Sequence, residues 1–586
     1  MKYPTLAELN TTREWLDVFG GYNHNLRIGE GEFYEMTNMS SDHYPILSPR
    51  PKRGIYSHEV HGTPMKPQGM VAKDAFCYID GSDFVMNQYR IDMGLSEETD
   101  EEGKIIPKTL ISMGAYVIIM PDKKYINTEN VSDFGDIEKS VTTAGQVEFS
   151  LCKADGNAYE NVVAQATAPE TTKLWIDTSS TPHSLKQYST TQDMWSTIAT
   201  TYIKIAATGI GKPFEVNDGV TISGVESTAL ADLNASMIIY AKGDNYIVVR
   251  GILDKVTTQT TPITVERKMP EMDFIIESGN RLWGCRYGLQ GGMVVNEIYA
   301  SKLGDFRNWN SFMGISTDSY AASVGTDGQF TGAITYLGYP IFFKENCMHK
   351  VYGNYPSNYQ IQTTACRGVQ KGCGNSLAIV NEVLYYKARS GICAYDGSLP
   401  QEISSALGDA SYSKAVAGYL GNKYYVSMCD VNGGYHLFVY DSLKKMWHRE
   451  DNTEARAFCN CRGDLYYIDW NGNQIKSVKG TGVLETKNIN WEAVTGVIGT
   501  DSPDKKYISR LDVRMLLEVG AKASFYVEYD SSGEWEFLFD MTGVKLKSFY
   551  VPIRPQRCDH MRLKIMGVGD AKIYSICKTI EWGSDV

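Results

Sequence analysis

No run in this chain approaches the roughly 18 consecutive apolar residues that a membrane-spanning helix needs, so a helical membrane span is excluded and no membrane partner is expected. The start, MKYPTLAELN, lacks the apolar core of a secretory signal, and the expectation is a chain made and folded in a cytoplasm. Nor is there an excess of basic residues: 57 Lys and Arg stand against 69 Asp and Glu, a net charge of −12. Tight binding to nucleic acid requires cations that neutralise phosphates. General affinity for DNA is therefore excluded, although DNA could slide past such a surface without being held.

Assembled motifs for chemistry are equally scarce. There is no G-x-S-x-G nucleophile elbow. GIGKPF at Gly209 has proline after Lys212, where a phosphate loop needs the serine or threonine that meets magnesium, and no helical pattern follows it. The nine histidines are scattered, and His58 and His61 in SHEVHG lie three apart in a loop-like segment, which is not the spacing of two ligands on one helical face. DWNGNQ at Asp469 alternates oxygen-bearing residues as calcium loops do, yet lacks the later bidentate acid, and an Asn-Gly hairpin turn explains it. Twelve cysteines without a signal sequence are expected to be reduced thiols. Cys77, Cys285, Cys347, Cys393 and Cys429 sit in strand-like runs as small hydrophobes, and Cys459 and Cys461 share a strand face with no further metal ligands nearby. Only fragments of the S-x-D-x-G-x-T-W turn of sugar-cleaving propellers occur, in SVGTDGQF at Ser323 and YDSSGEW at Tyr529. Trp283, Trp309, Trp447 and Trp470 read as packing between sheets before they read as sugar platforms. The expectation is thus no catalytic, cofactor-binding or metal-binding residues, no cofactor, and no enzymatic activity.

What the chain does have is tyrosine (38) and glycine (54), a composition suited to short strands joined by tight turns. One pattern keeps returning: NRLWGCRY from Asn280, GYPIFFKENCMHKVYG from Gly338, NEVLYYKARSGICAYDG from Asn381, GNKYYVSM from Gly421 and RGDLYYIDWNGNQIKSV from Arg462. With Leu282, Ile341, Leu384, Tyr424 and Leu465 as matched positions, the last three steps are each about 40 residues, the period of four-stranded sheets repeated around an axis. DAFCYIDGSDFVMNQYRI from Asp74 and GAYVIIMPDKKYINTE from Gly114 add two copies, making seven, and a β-propeller of about six to eight blades is expected. The acidic loop SEETDEEGK between these two copies reads as solvated.

The fold class is therefore all-β, in five stretches. Residues 1–70 read as an extended arm, closely punctuated by Gly29, Gly31, Pro45, Pro49, Pro51 and Gly54, with a short helix in TLAELNTTREWL and a strand that could close the ring. Residues 71–145 form the first part of the propeller and 146–270 an inserted small β-domain. Residues 271–486 form the second part, and 487–586 a C-terminal β-sandwich of six strands with alternating apolar faces.

Several phrases carry a resemblance. NEIYASKLGDFRNWNSF, through Ile298, Tyr299, Ser301, Gly304, Asp305 and Trp309, is similar to a phrase that recurs in virion propellers of tailed bacteriophages. IFFKENCMHKVYG followed by LYYKARSGICAYDG, with its Gly391 to Gly397 turn, resembles their successive blades, and NLRIGEGEFYEMTNMSSDHYPILSPRPKRG, ending at Arg50 and Arg53, resembles their amino-terminal lead-in. The family is that of phage tail nozzle, tail-stabilisation and head–tail connector proteins, and the resemblance covers the propeller alone. It implies a structural virion component of the tail, assembled in the host bacterial cytoplasm. Copies would form a cyclic homo-oligomer such as a hexamer, meet portal, adaptor or other tail proteins, and let the genome DNA pass through the lumen without sequence-specific binding. An acidic conduit suits that passage because it repels phosphate. The alternative is a carbohydrate-binding or glycan-depolymerising tail protein for host attachment. A cytoplasmic propeller scaffold is disfavoured because the regular WD-type signature is missing.

Overall fold

The computed structural model describes residues 11–56, 65–99, 103, 105–470, 474–486, 488–500 and 505–582. The fold is all-β: apart from four short 3-10 turns, the regular elements among the described residues are strands. Antiparallel meanders recur at 67–92, 109–136, 274–323, 332–365, 378–402, 412–449 and 455–477, each pairing its strands in chain order. This is the propeller-like architecture that the repeat implied. Leu282, Ile341, Leu384, Tyr424 and Leu465, the matched positions of the repeat, are each 0% exposed, so the period marks the inward-facing residue of the second strand of successive sheets. Four of the two-residue turns that precede these strands take positive φ at both positions, as at Asn381 (48°) and Glu382 (66°) or Arg462 (51°) and Gly463 (76°), and the turn before Tyr424 takes it at Gly421 (57°) alone; both are geometries whose twist matches a tight hairpin.

The chain divides into two compact units, one made of 1–108, 342–348 and 363–586, the other of 109–341 and 349–362. In the second unit the 109–136 and 274–323 sheets share a core of Ile111, Met113, Ile118, Leu282, Tyr299, Phe306 and Trp309. Between them in sequence lies a guest segment that does not follow the repeat. Its first strand, Lys139–Thr142, pairs antiparallel with its last, Thr264–Arg267, so the guest leaves and re-enters the chain at one place. Pairing thus starts at Lys139, ahead of Gln146. Two sheets of this segment enclose a core that includes Phe149, Ile205, Phe214, Ile222 and Val249, and residues 162–197 form a further small sheet.

In the first unit the arm is woven into everything near it. Strand β1 (Thr11–Leu16) replaces the expected helix of TLAELNTTREWL, of which residues 5–10 lie outside the described set. The reason is tertiary pairing: β-branched Thr11 and Thr12 and aromatic Trp15 suit a strand, and a long partner strand is at hand to take their backbone bonds. β2 (Phe33–Thr37) joins the same C-terminal sheet at another place. β3 (Gly54–Tyr56) enters the 455–477 sheet, lying between Gln474–Ser477 and Val483–Leu484, so the arm does complete the last blade. That blade packs on the first: Tyr56, Phe76, Tyr78 and Tyr466 form an aromatic cluster, with Phe76 and Tyr466 stacked at 4.3 Å.

The C-terminal part uses β4 (Asn490–Thr495), β5 (Lys506–Tyr529), β6 (Glu536–Val551), β7 (Met561–Val568) and β8 (Ala571–Trp582). The expected six strands are fewer and longer. RLDVRMLLEV and ASFYVEYD are one strand, β5, and EWEFLFD and KSFYVPI are one strand, β6. The strands form one seven-stranded sheet, and the register shift between Leu517 and Lys522 lets β5 pass from one partner strand to another without ending. Before that point β5 pairs with β8, after it with β7, giving the order β1-β8-β5-β7-β4-β2 with β6 along the other side of β5. Gly54 tests the place of β3 in the last blade, because a Cβ there would lie 2.1 Å from the Thr481 carbonyl oxygen. Gly54→Ala should force β3 away from its neighbours and cost about 1–3 kcal/mol, read as a lower denaturant midpoint with an unchanged m-value.

Candidate functional site

The most heavily built polar site is where the arm meets the last two blades. Arg50 and Arg53 follow prolines that keep the chain extended, and both side chains are buried. The Arg53 guanidinium donates to Glu450 Oε2 at 2.5 Å, pairs with Asp451 Oδ2 at 2.8 Å, and donates to Thr453 Oγ1 and the Tyr467 hydroxyl, each at 2.9 Å. Arg50 meets Glu485 Oε2 at 3.2 Å and Asp451 Oδ2 at 3.4 Å, and its Nε donates to Asn38 Oδ1 at 2.8 Å. Beside this node opens a cavity of about 530 Å³, lined by Asp42, Arg50, Arg53, Lys423, Lys444 and Asp441 among others. There Lys423 reaches Asp42 at 2.7 Å, and Ser41 donates to Asp441 at 2.7 Å. Burial alone would raise these carboxyls, but Lys423 outweighs it at Asp42, Ser41 and Lys444 at Asp441, and Arg53 and Arg50 at Asp451, leaving all three below the usual carboxylate range. His448, buried and facing Lys423, is pushed down to about 3 and is therefore neutral. Charges here face countercharges, so the site is built to fasten the arm.

A second junction lies wholly in the other unit. Asp218 of the guest segment pairs with Arg267 at 2.7 Å, and Arg267 also donates to the Ile137 carbonyl from Nε (3.1 Å) and Nη2 (3.0 Å). Asn308 of GDFRNWN donates to Asp218 Oδ1 (3.2 Å) and Asp305 Oδ2 (2.5 Å), and accepts from the Gly219 amide at 2.7 Å. Asp218, Arg267 and Asn308 are all buried. The phrase that carried the resemblance thus fixes the guest segment to the 274–323 blade, with Tyr299 and Trp309 in the core beneath and Ser301 Oγ accepting from the Leu282 amide.

A third site is a polar cavity of about 430 Å³ in the first unit, lined by Lys387, Arg389, Ser390, Glu402, Ser411 and Tyr412 among others. The Lys387 amine is buried and bonded to neutral acceptors, Gln370 Oε1 at 2.8 Å and the Ala388 carbonyl at 2.6 Å; burial holds it below the usual lysine range. Glu402 is tied to Arg367 at 2.9 Å. Gly391 borders this cavity and is packed so closely that a Cβ there would lie 2.1 Å from Ser404 Oγ.

The other residues singled out in the sequence fall as follows. All twelve cysteines are free, and eleven are buried. Burial pushes Cys77 and Cys459 up to about 12, which makes them inert thiols. Trp283, Trp309 and Trp447 are core residues, and Trp470 lies 4.3 Å from the Arg456 guanidinium. GIGKPF is a run of turns leading to the strand Gly219–Ser223. Asp469 pairs with Lys476 at 2.5 Å, while residues 471–473 of DWNGNQ, part of SEETDEEGK, and His58 and His61 lie outside the described residues. Among the described residues no group of three His, Cys, Asp or Glu is placed to hold a metal. Sequence reasoning singled out Arg50 and Arg53 but missed Glu450, Asp451 and Glu485, and it missed Asp218 and Arg267. A paired Glu-Asp directly after a strand, in HRED, was the available signal.

No family model matches the chain, and no curated protein does. Among solved structures it is similar to an exo-β-1,3-galactanase from Phanerochaete chrysosporium with galactose, at 8% identity over 52% of this chain and 94% of that one, TM-score 0.22. It is also similar to a Trypanosoma rangeli sialidase in complex with 2,3-difluorosialic acid, at 9% identity over 96% and 95%, TM-score 0.20. A third is a Bacillus thuringiensis Cry1Da core variant, at 8% identity over 53% and 52%, TM-score 0.13. These matches correct the expectation that the chain is not an enzyme, since glycoside hydrolase and sialidase structures stand among them. At such TM-scores they assign no activity to it.

The arm node yields a prediction with a pH sign. Arg53→Met removes the closer cation from Glu450 and Asp451, leaving Arg50 at 4.0 Å and 3.4 Å, and should cost about 3 kcal/mol in denaturant unfolding. Asp42, Asp441 and Asp451 have depressed folded values, so their contribution is present above the unfolded carboxylate value of about 3.9 and lost as pH falls through the folded values. Wild-type stability should drop steeply below pH of about 4, and Arg53→Met should flatten that drop.

Proposed function

We propose that this chain is a structural component of a tailed-phage or prophage virion, in the tail nozzle or head–tail junction, where copies in a ring extend a DNA conduit and dock further tail parts. One observation carries the reading: two of the phrases that resemble the phage family are joints. NLRIGEGEFYEMTNMSSDHYPILSPRPKRG ties the C-terminal sheet to the last two blades through β2, β3 and the Arg50 and Arg53 ion pairs. GDFRNWN ties the guest segment to its blade through Asn308 and Asp218. Residues used in this way serve a part that must hold its modules together under load. The net charge of −12 supports the same reading, since an acidic wall lets DNA pass unretained. Mass spectrometry of purified virions should detect the chain at several copies per particle, and negative-stain images should place it at the tail; its absence from virions would end the proposal.

A glycan-directed role at the tail is the second reading, favoured by the Lys387 cavity. Its lining of Arg389, Ser390, Glu402, Ser411 and Tyr412 offers donors and acceptors at the scale of one or two sugar rings. Glycan-array binding that is lost in Glu402→Ala, or release of reducing ends from host wall material, would support it. Silence of the wild type in both assays would remove it.

A further inference from the structure

We infer that copies of this chain join edge to edge, the outer edge of β6 in one copy pairing with the outer edge of β1 in the next. The inference rests on the ring of the proposed function and names the contact that would build it.

The half of the C-terminal sheet before the bend runs β1-β8-β5-β6. Among the described residues β6 pairs only with β5, and β1 only with β8. Among the described residues, the outer edges of β6 and of β1 from Thr12 to Leu16 therefore carry backbone N–H and C=O groups with no ladder partner, a template for another strand. β6 is unusual in its exposure as well as its length: of its 16 residues, Lys545, Leu546, Lys547, Ser548 and Tyr550 are all exposed. Natural sheets shorten, bulge, charge or cover such an edge unless it is used; the pairing of β6 is irregular nearer its start but regular over 547–551, which leaves that end straight. The strand at the far end of the whole sheet, β2, is covered, because the arm residues around it bond to the 412–449 blade, as in Tyr22 N–H to the Trp447 carbonyl at 2.6 Å.

The two free edges also match in chemistry. Glu14, Lys578, Leu511 and Val551 stand opposite one another across β1, β8, β5 and β6, so they share one face of the sheet. Between Lys547 and Val551 the register is regular, which puts Lys547 and Phe549 on that face with Val551, and Ser548 and Tyr550 on the other. By the same count Trp15 and Arg13 share the face of Tyr550. Pairing the two edges in the antiparallel register that sets Trp15 (57% exposed) opposite Tyr550 (52%) brings two exposed aromatics together and places Glu14, which is bonded to Lys578, opposite Val551. Such cross-strand pairs are those that stabilise a ladder. The contact uses different patches on its two sides, so it is heterologous and adds copies head to tail, the kind of interface that closes into rings.

Light scattering of the full-length protein is the test. The wild type should run as an oligomer, and Trp15→Asp and Tyr550→Asp should each fall to monomer mass. Each variant keeps one sound edge, so an equimolar mixture of the two should give dimers and nothing larger. A monomeric wild type, or variants that keep the wild-type mass, would overturn the inference. Hydrogen exchange reads the same contact without substitution: amides of 547–551 should be protected in the oligomer and lose at least tenfold of that protection on dilution to monomer, and equal exchange in both would overturn it. The outcome separates from the virion assay. A chain present in virions without edge-dependent assembly sinks this contact alone, whereas edge-dependent oligomers of a chain absent from virions sink the virion reading alone.

Discussion

The buried pairing of Arg53 with Glu450 and Asp451 is the constraint on which the first unit depends. A guanidinium taken fully out of water is tolerable only where carboxylates meet it at hydrogen-bond distance, and these come from a segment nearly 400 residues further along the chain. Arg53 meets these countercharges only where Glu450 and Asp451 follow the 412–449 blade, which gives the arm a single register. That register then determines the rest of the arm's course. Two residues before Arg53 the chain is held open by Pro51, and one residue after it Gly54 passes so close to Thr481 that no side chain would fit. The arm therefore belongs to the fold's core and cannot be treated as an appendage.

The same device recurs at the guest segment, where Asp218 and Arg267 are buried against Asn308. Charged junctions of this kind add little net stability compared with an apolar contact, but they punish misplacement severely. In a chain assembled from many similar sheets, that is the useful property. Alternating apolar strands can slip onto the wrong neighbour at modest cost, whereas a buried arginine one residue out of place loses its countercharge.

This contrast also explains what could be read from the sequence. The repeat was legible because every copy buries the same position, and Leu282, Ile341, Leu384, Tyr424 and Leu465 are all sealed in the core. Turn chemistry was legible for the same local reason. What could not be read were pairings between distant residues. Thr11–Leu16 has no property that names Ala571–Trp582 as its partner, so local propensity favoured a helix. The four C-terminal stretches that merge into β5 and β6 looked separate because glycine and charge interrupt the apolar alternation at Gly520 and Gly543, where the strands bend without breaking. The start of the guest pairing at Lys139 was hidden likewise, since KSVT gains meaning only beside Thr264–Arg267. Of the candidate site, Arg50 and Arg53 were visible, but the acids that give them their role were not.

The arm also settles which edges of the C-terminal sheet are left open. A sheet of this length has more strand edges than it can cover by itself. β2 seals one end because the arm on either side of it is bonded to the neighbouring blade, through Tyr22 and Asn38. β1, the first stretch of the same arm, extends the opposite end and is sealed by no other described strand. Adding β1 to β8 therefore moves the open edge outward by one strand and gives it a new composition, replacing the edge of a strand rich in isoleucine with TTREWL. A charged and aromatic edge of that kind resists indiscriminate aggregation while remaining able to take a matched strand. The arm fastens the molecule internally and, by the same path, sets the chemistry of its outermost strand.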